Sequence, residues 1–134
     1  MPECCNVMVV EDEALIALDL ALTIEEMGAA VCGPFNSVVH AASSCDRVDG
    51  AILDVDIRGG TVLELADRLR ANGTPIVFHT GRSDVAPLRA RYGAATPILR
   101  KPARLDQLRA ALQGLMRKRG VTRANGRCGM RTAS

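Results

Sequence analysis

Four short apolar runs in this 134-residue chain each deliver a residue suited to phosphoryl chemistry. Val7–Val10 runs into Glu11 and Asp12, and Ala51–Leu53 runs into Asp54. Ile76–His79 runs into Thr80 and Gly81, and Ile98–Arg100 runs into Lys101 and Pro102. If the runs are parallel strands, their carboxyl ends share one edge of a sheet, where open α/β sheets bind ligands. Three carboxylates that close resist joint ionisation unless a cation neutralises them. A hard divalent ion fits oxygen donors of this kind, and Mg²⁺ suits phosphoryl substrates because it keeps several of its waters. One carboxylate can then act as nucleophile and form an aspartyl-phosphate. Lys101 offers a point charge to a phosphoryl oxygen, Thr80 a hydrogen bond to another, and Gly81 leaves the adjacent backbone open. Taken singly, these residues have plainer readings. Glu11 and Asp56 read as loop acids or helix caps, Thr80 as a strand-end hydroxyl and Lys101 as a solvated charge. Asp54 is harder to dismiss, because an acid closing an apolar strand needs a partner.

The elements that would position these residues alternate between strand-length apolar runs and helical patterns, which predicts βα units and a parallel sheet. Strands are expected at 6–10, 30–33, 50–54, 75–80 and 96–100. Helices are expected at 13–27, 37–45, 61–71, 85–92 and 105–117, with Gly28, Asn72-Gly73 and Gly93 as stop signals. In the first helix Leu15, Leu18 and Leu22 fall at helical spacing, with Asp19, Thr23 and Glu26 on another face. Asp106 in the first turn and Arg117 in the last turn of the final helix suit its dipole. Pro34 is read as opening a loop. His79 is read as a packed or surface residue and Tyr92 as a helix-end packing residue.

The motifs Val9-Val10-Glu11-Asp12-Glu13, Ile52-Leu53-Asp54-Val55-Asp56, His79-Thr80-Gly81 and Lys101-Pro102 resemble those of the receiver domain of two-component response regulators, in order, spacing and strand-end placement, over roughly residues 5–117. The resemblance implies a doubly wound (βα)5, flavodoxin-like fold with strand order 2-1-3-4-5. It implies that Asp54 is the phosphoacceptor and that Asp12 holds Mg²⁺ (or Mn²⁺), with Glu11 supporting the ion through water. Asp54 and the backbone carbonyl of Asp56 would complete the protein's share of the metal shell. Thr80 and Lys101 would bind phosphoryl oxygens, and the Lys101–Pro102 peptide would be cis. A sensor histidine kinase or a histidine phosphotransfer protein would supply the phosphoryl group, and a downstream protein target would read the result.

The sequence also departs from that pattern. Receivers commonly carry an aromatic switch residue three positions before the lysine, and here Ile98 stands there. The signal is then expected to pass through the fourth helix and fifth strand moving together. Arg82 and Asp56 flank the site, and Asp56 is expected to repel or orient the attacking water, which replacement by Asn would test. The surface from the fourth helix to the fifth would present Arg89, Arg91, Arg100, Arg104 and Arg109, a basic face suited to an acidic partner or to a dimer. No output domain follows residue 117, so the expected protein is a stand-alone regulator: a receiver over 1–118 and a basic, disordered tail over 119–134, without a DNA-binding domain. Two other readings compete. One is a pseudo-receiver that binds without phosphorylation. The other is a haloacid-dehalogenase-like phosphatase, whose second acid pair should follow the lysine, where only Asp106 lies.

Composition agrees with one domain and a mostly aliphatic core: 48% of residues are hydrophobic, with no Trp, one Tyr and two Phe. No apolar run approaches the ~20 residues needed to span a bilayer, and the N-terminus does not read as a signal peptide. Five cysteines without C-x-x-C spacing argue against a zinc site or disulfide framework and for a reducing cytoplasm. The vicinal Cys4-Cys5 pair reads as terminal thiols. The net charge of +2 conceals an asymmetry. Residues 1–116 hold all 15 acids and 11 of the 17 Lys and Arg, a balance of −4, and residues 117–134 hold six basic residues and no acid.

Overall fold

In the computed structural model, which describes residues 5–58 and 60–123, the apolar runs become a five-stranded parallel sheet. The elements in chain order are β1 (Asn6–Val10), α1 (Ala14–Glu26), β2 (Ala30–Phe35), α2 (Val38–Ala42), β3 (Gly50–Leu53), β4 (Asp56–Ile57), β5 (Gly60–Thr61), α3 (Leu63–Ala71), β6 (Ile76–Thr80), α4 (Ala86–Tyr92), β7 (Ile98–Arg100) and α5 (Leu105–Arg123). A 3₁₀ turn, Cys45–Arg47, follows α2. The sheet order is β2-β1-β3-β6-β7, which is the expected 2-1-3-4-5 order once the small antiparallel β4–β5 hairpin is set aside.

Strand alternation sends successive side chains to two separate cores. Met8, Val10, Ala51, Leu53, Ile76 and Phe78 face α2, α3 and α4. Val7, Val9, Ile52 and Val77 face α1 and α5, where Leu20, Ile24, Leu108, Leu112 and Leu115 meet them. Both faces of the central strands are therefore covered, which is why they read as continuous apolar runs. The helix α5 sits so close to β3 that a Cβ on Gly50 would fall 2.1 Å from Leu115 Cδ2, so any larger residue there would have to push Leu115 aside. Cys5, expected at a frayed end, is buried in this second core. Cys4 lies outside the described residues.

Several elements differ from expectation for local reasons. Pro34 lies inside β2 instead of opening a loop, which an edge strand tolerates because one side of its ladder is unused. The expected second helix divides into α2 and the 3₁₀ turn. The hairpin β4–β5 takes Thr61, expected as the first residue of the third helix, which starts instead at Leu63. In α1 the leucine stripe faces outward: Leu15 is 81% exposed, Leu18 54% and Leu22 48%. The buried face is Ala17, Leu20, Thr23 and Ile24, so Thr23 is internal after all, its hydroxyl satisfied by donation to the Asp19 carbonyl at 2.8 Å. The sequence of α1 is apolar nearly all round, and only the sheet beneath it decides which stripe is covered. Finally, α5 continues past Arg117 to Arg123, into the segment expected to be disordered; residues 124–134 of that segment lie outside the described residues. Among the described residues, no helix is long and apolar enough to cross a membrane.

Candidate functional site

The ladder hydrogen bonds extend one step beyond the strands and fix the backbone of the candidate residues. Asp54 N–H donates to the Val10 carbonyl at 2.8 Å, Glu11 N–H to the Phe35 carbonyl at 2.9 Å and Lys101 N–H to the Thr80 carbonyl at 2.7 Å. Glu11 and Asp54 therefore continue the rows of Val9 and Ile52, which pair in register, and end side by side. Both are buried, at 2% and 5% exposure, and Asp12 beside them is half-buried. One carboxylate oxygen from each of Glu11, Asp12 and Asp54 lies within 4.8 Å of the others.

Lys101 reaches into this cluster from the end of β7. Its Nζ donates to Asp54 Oδ2 at 3.1 Å and to Glu11 Oε2 at 3.2 Å, and Glu13 Oε2 stands 3.7 Å away. Two buried carboxylates thus share one ammonium. Burial pushes the Asp54 carboxyl up to about 6, opposed by Lys101 and reinforced by Glu11. For Lys101, burial pulls downward, but Glu11 and Asp54 outweigh it and hold the ammonium above its ordinary range. Glu11 Oε1 is buried without a hydrogen bond among the described residues; Lys101 Nζ is 3.0 Å away but badly angled for one. The Lys101–Pro102 peptide is cis, as is Gly33–Pro34.

The loops complete the rim. Asp12 Oδ2 accepts from the backbone N–H of Arg58, at the tip of the β4–β5 hairpin, at 3.0 Å, and Glu11 Oε2 accepts from Glu13 N–H at 3.1 Å. Thr80, wholly buried, has its hydroxyl oxygen held by the Arg82 N–H at 3.0 Å, which leaves the hydroxyl hydrogen free to donate elsewhere. Asp56 projects from the hairpin and is held below the usual carboxylate range by a two-pronged bond from Arg82. The sequence reading flagged Asp56 and Arg82 separately and missed their pairing. Their equal offsets, Asp56 two residues past Asp54 and Arg82 two residues past Thr80 on neighbouring strands, carried that signal.

His79 follows Val77 on the α5 side of β6 and is buried, with neither ring nitrogen hydrogen-bonded among the described residues. Burial, and then Lys101, hold its imidazole below the ordinary range and so neutral. Ile98 pairs with Phe78 and packs half-buried against the first core. Tyr92 does more than pack. Its hydroxyl donates to Asp67 Oδ1 at 2.7 Å, Arg91 bonds the same carboxylate, and its ring tilts against Phe78 at a centroid distance of 4.8 Å. The basic face expected from α4 to α5 is largely self-satisfied. Arg89 bonds the carbonyls of Gly93, Ala94 and Thr96, Arg91 bonds Asp67, Arg104 bonds Asp106 and Arg109 bonds Glu26. The sequence could not show this, because most of those partners are neighbours only in space or at a helix end.

Comparison with known proteins follows the same line. Residues 7–113 match the response regulator receiver domain. The transcriptional regulatory protein TcrA of Mycobacterium tuberculosis is 34% identical over an alignment of 123 residues that covers 88% of this chain and 48% of TcrA, so the chain spans about half the length of the curated relatives it matches. Among solved structures, SdrG from Sphingomonas melonis Fr1 is 35% identical with a TM-score of 0.71, covering 84% of this chain and 96% of SdrG. The signal receiver domain of a modulated diguanylate cyclase from Desulfovibrio desulfuricans G20 is 30% identical with a TM-score of 0.73, covering 87% of this chain and 97% of the other. With the sheet order, the strand-end carboxylates and the lysine already in place, this chain belongs to the response regulator receiver domain family.

Proposed function

We propose that this domain accepts a phosphoryl group on Asp54 from a phosphohistidine donor and signals through protein contacts that depend on it. The observation that carries this reading is the shared ammonium: Lys101 bonds Asp54 and Glu11 together in a buried cluster that holds more negative than positive charge. Such a cluster is poised for a cation. The donor set fits Mg²⁺ or Mn²⁺, being all oxygen, with Glu11 Oε1 left without a hydrogen bond among the described residues. Asp12 and Asp54, the Asp56 carbonyl, and Glu11 through water would hold the ion. When bound, it would supply charge neutralisation for the incoming phosphoryl oxygens.

The chain's own residues do the rest. The Asp54 carboxylate attacks phosphorus in line; the P–N bond to the donor imidazole breaks, and its electron pair stays on the imidazole. Lys101 binds one phosphoryl oxygen, and the free hydroxyl hydrogen of Thr80 another. Hydrolysis reverses the state: water attacks phosphorus, the P–O bond to Asp54 breaks, and inorganic phosphate leaves. A groove of about 640 Å³ beside Glu11 and Asp12, bordered by Leu18, Phe35 and His40, adjoins the outward leucines of α1. We assign the donor's docking to this apolar flank, since it lies next to the carboxylates and is otherwise left in water. An added charge of about −1.5 to −2 on Asp54 then biases Thr80 and the β6–α4 loop toward a second arrangement.

Intact mass after incubation with Mg²⁺ and acetyl phosphate tests the reading. One phosphoryl adduct that needs Mg²⁺ and disappears in Asp54→Asn supports it. No adduct, together with no Mg²⁺ binding in a titration, overturns it in favour of a binding module that works without phosphorylation.

A further inference from the structure

The Arg82–Asp56 pair flanks the site, since Asp56 stands two residues past Asp54 and Arg82 two residues past Thr80. Arg82 Nε donates to Asp56 Oδ2 at 2.8 Å and Nη2 to Oδ1 at 2.7 Å, a two-pronged fork. The backbone N–H of the same residue holds the Thr80 hydroxyl at 3.0 Å. Arg82 thus touches both the Asp56 carboxylate and the buried Thr80 hydroxyl. The side chains are 33% and 55% exposed, and a pair this wet contributes little to folding and exchanges readily. A guanidinium fork matches phosphoryl oxygens as well as it matches a carboxylate. A phosphoryl group on Asp54 carries about −1.5 to −2 charge against the single charge of Asp56, so it outcompetes Asp56 for the fork.

We propose that Arg82 exchanges partners: Asp56 holds it in the unphosphorylated domain, and it turns onto the phosphoryl oxygens once Asp54 is modified, retaining the group against water. Asp56 is then a parking site for the fork rather than a ligand of the product. The idea rests on Asp54 as phosphoacceptor. It makes a prediction that a static ion pair does not, because cutting the pair at its two ends has opposite consequences. Arg82→Ala removes a phosphoryl contact, whereas Asp56→Asn releases the fork to make one.

The test loads wild type, Arg82→Ala, Arg82→Lys and Asp56→Asn with acetyl phosphate and Mg²⁺, removes the donor, and follows decay of the adduct by intact mass, with circular dichroism confirming each fold. Arg82→Ala should shorten the half-life roughly three- to tenfold, the loss of a charge-assisted contact. Arg82→Lys, which keeps the charge and loses the fork, should fall between it and wild type. Asp56→Asn should lengthen the half-life about twofold, as expected if the parked state competes with the bound one. Equal shifts in the same direction for Arg82→Ala and Asp56→Asn would mean a static rim bridge and overturn the exchange, as would unchanged decay in Arg82→Ala. A wild type that takes up no phosphoryl group at all overturns the phosphoacceptor reading itself, and the exchange with it.

Discussion

Two charged clusters in this molecule use similar parts to opposite ends. At the strand ends, Glu11 and Asp54 are buried and share the single ammonium of Lys101. Between α3 and α4, Asp67 is bonded by the Arg91 fork and the Tyr92 hydroxyl, with Arg70 and Arg91 also lying over the Tyr92 ring. In the second cluster no negative charge is left over, since Asp67 faces Arg91 and Arg70, and both of its oxygens accept hydrogen bonds. Its carboxylate titrates below the usual range because of Arg91 and then Tyr92, and the phenol is pushed up to about 12 by burial and then by Asp67. The first cluster is out of balance, with Asp54 raised to about 6. A satisfied network rigidifies, and an unsatisfied one stores a demand that a ligand can meet. The difference separates architecture from function without reference to any relative.

Breaking the comparison at its most loaded point should have the largest effect. Lys101→Ala leaves two buried carboxylates without their cation and should cost about 3–5 kcal/mol in metal-free buffer, read by urea unfolding. Added Mg²⁺ should restore part of that loss.

Asp54→Asn goes the other way. Between the ordinary carboxylate value near 4 and about 6, the folded protein binds more protons at Asp54 than the unfolded chain does. The contribution of Asp54 to stability therefore falls as pH rises through that window. In EDTA, Asp54→Asn should be more stable than wild type by roughly 1–3 kcal/mol at pH 8 and by almost nothing at pH 4. Equal differences at both pH values would show that burial does not raise this carboxyl.

Smaller effects sharpen the contrast from the balanced side. Tyr92→Phe removes one donor while the Arg91 fork still holds Asp67, so denaturation should report a loss of about 1 kcal/mol. As the chain's one tyrosine, Tyr92 also offers a direct probe of α4: its fluorescence should change on phosphorylation if the α3–α4 contact moves with the β6–α4 loop. The smallest effect on stability belongs to the outward face of α1. Leu18→Ser should change it by less than about 0.5 kcal/mol, since that side chain is largely in water. The same change should slow phosphoryl transfer from a histidine kinase while leaving transfer from acetyl phosphate intact, as the proposed docking of the protein donor on that face requires.

Much of this was legible from the residue order. The strand-end placement of Glu11, Asp54, Thr80 and Lys101 follows from alternating apolar runs and helical stretches, since a right-handed βα unit brings successive strand ends to one edge. The chemistry of the edge follows from the residue types placed there, whereas the sheet order followed only from the resemblance to receiver domains. What the chain order could not hold was the choice among equivalent faces and partners. Leu15, Leu18 and Leu22 form as good a stripe as Ala17, Leu20 and Ile24, and packing against β1 and β2 selected the latter. Arg89, Arg91, Arg104 and Arg109 look like free charges until the fold supplies carbonyls and carboxylates for them. Asp56 finds Arg82 across 26 residues, and Tyr92 finds Asp67 across 25, because neighbouring strands and helices bring them together. Periodicity is a property of one segment and survives in the sequence; a contact between segments exists only once the sheet has set their register.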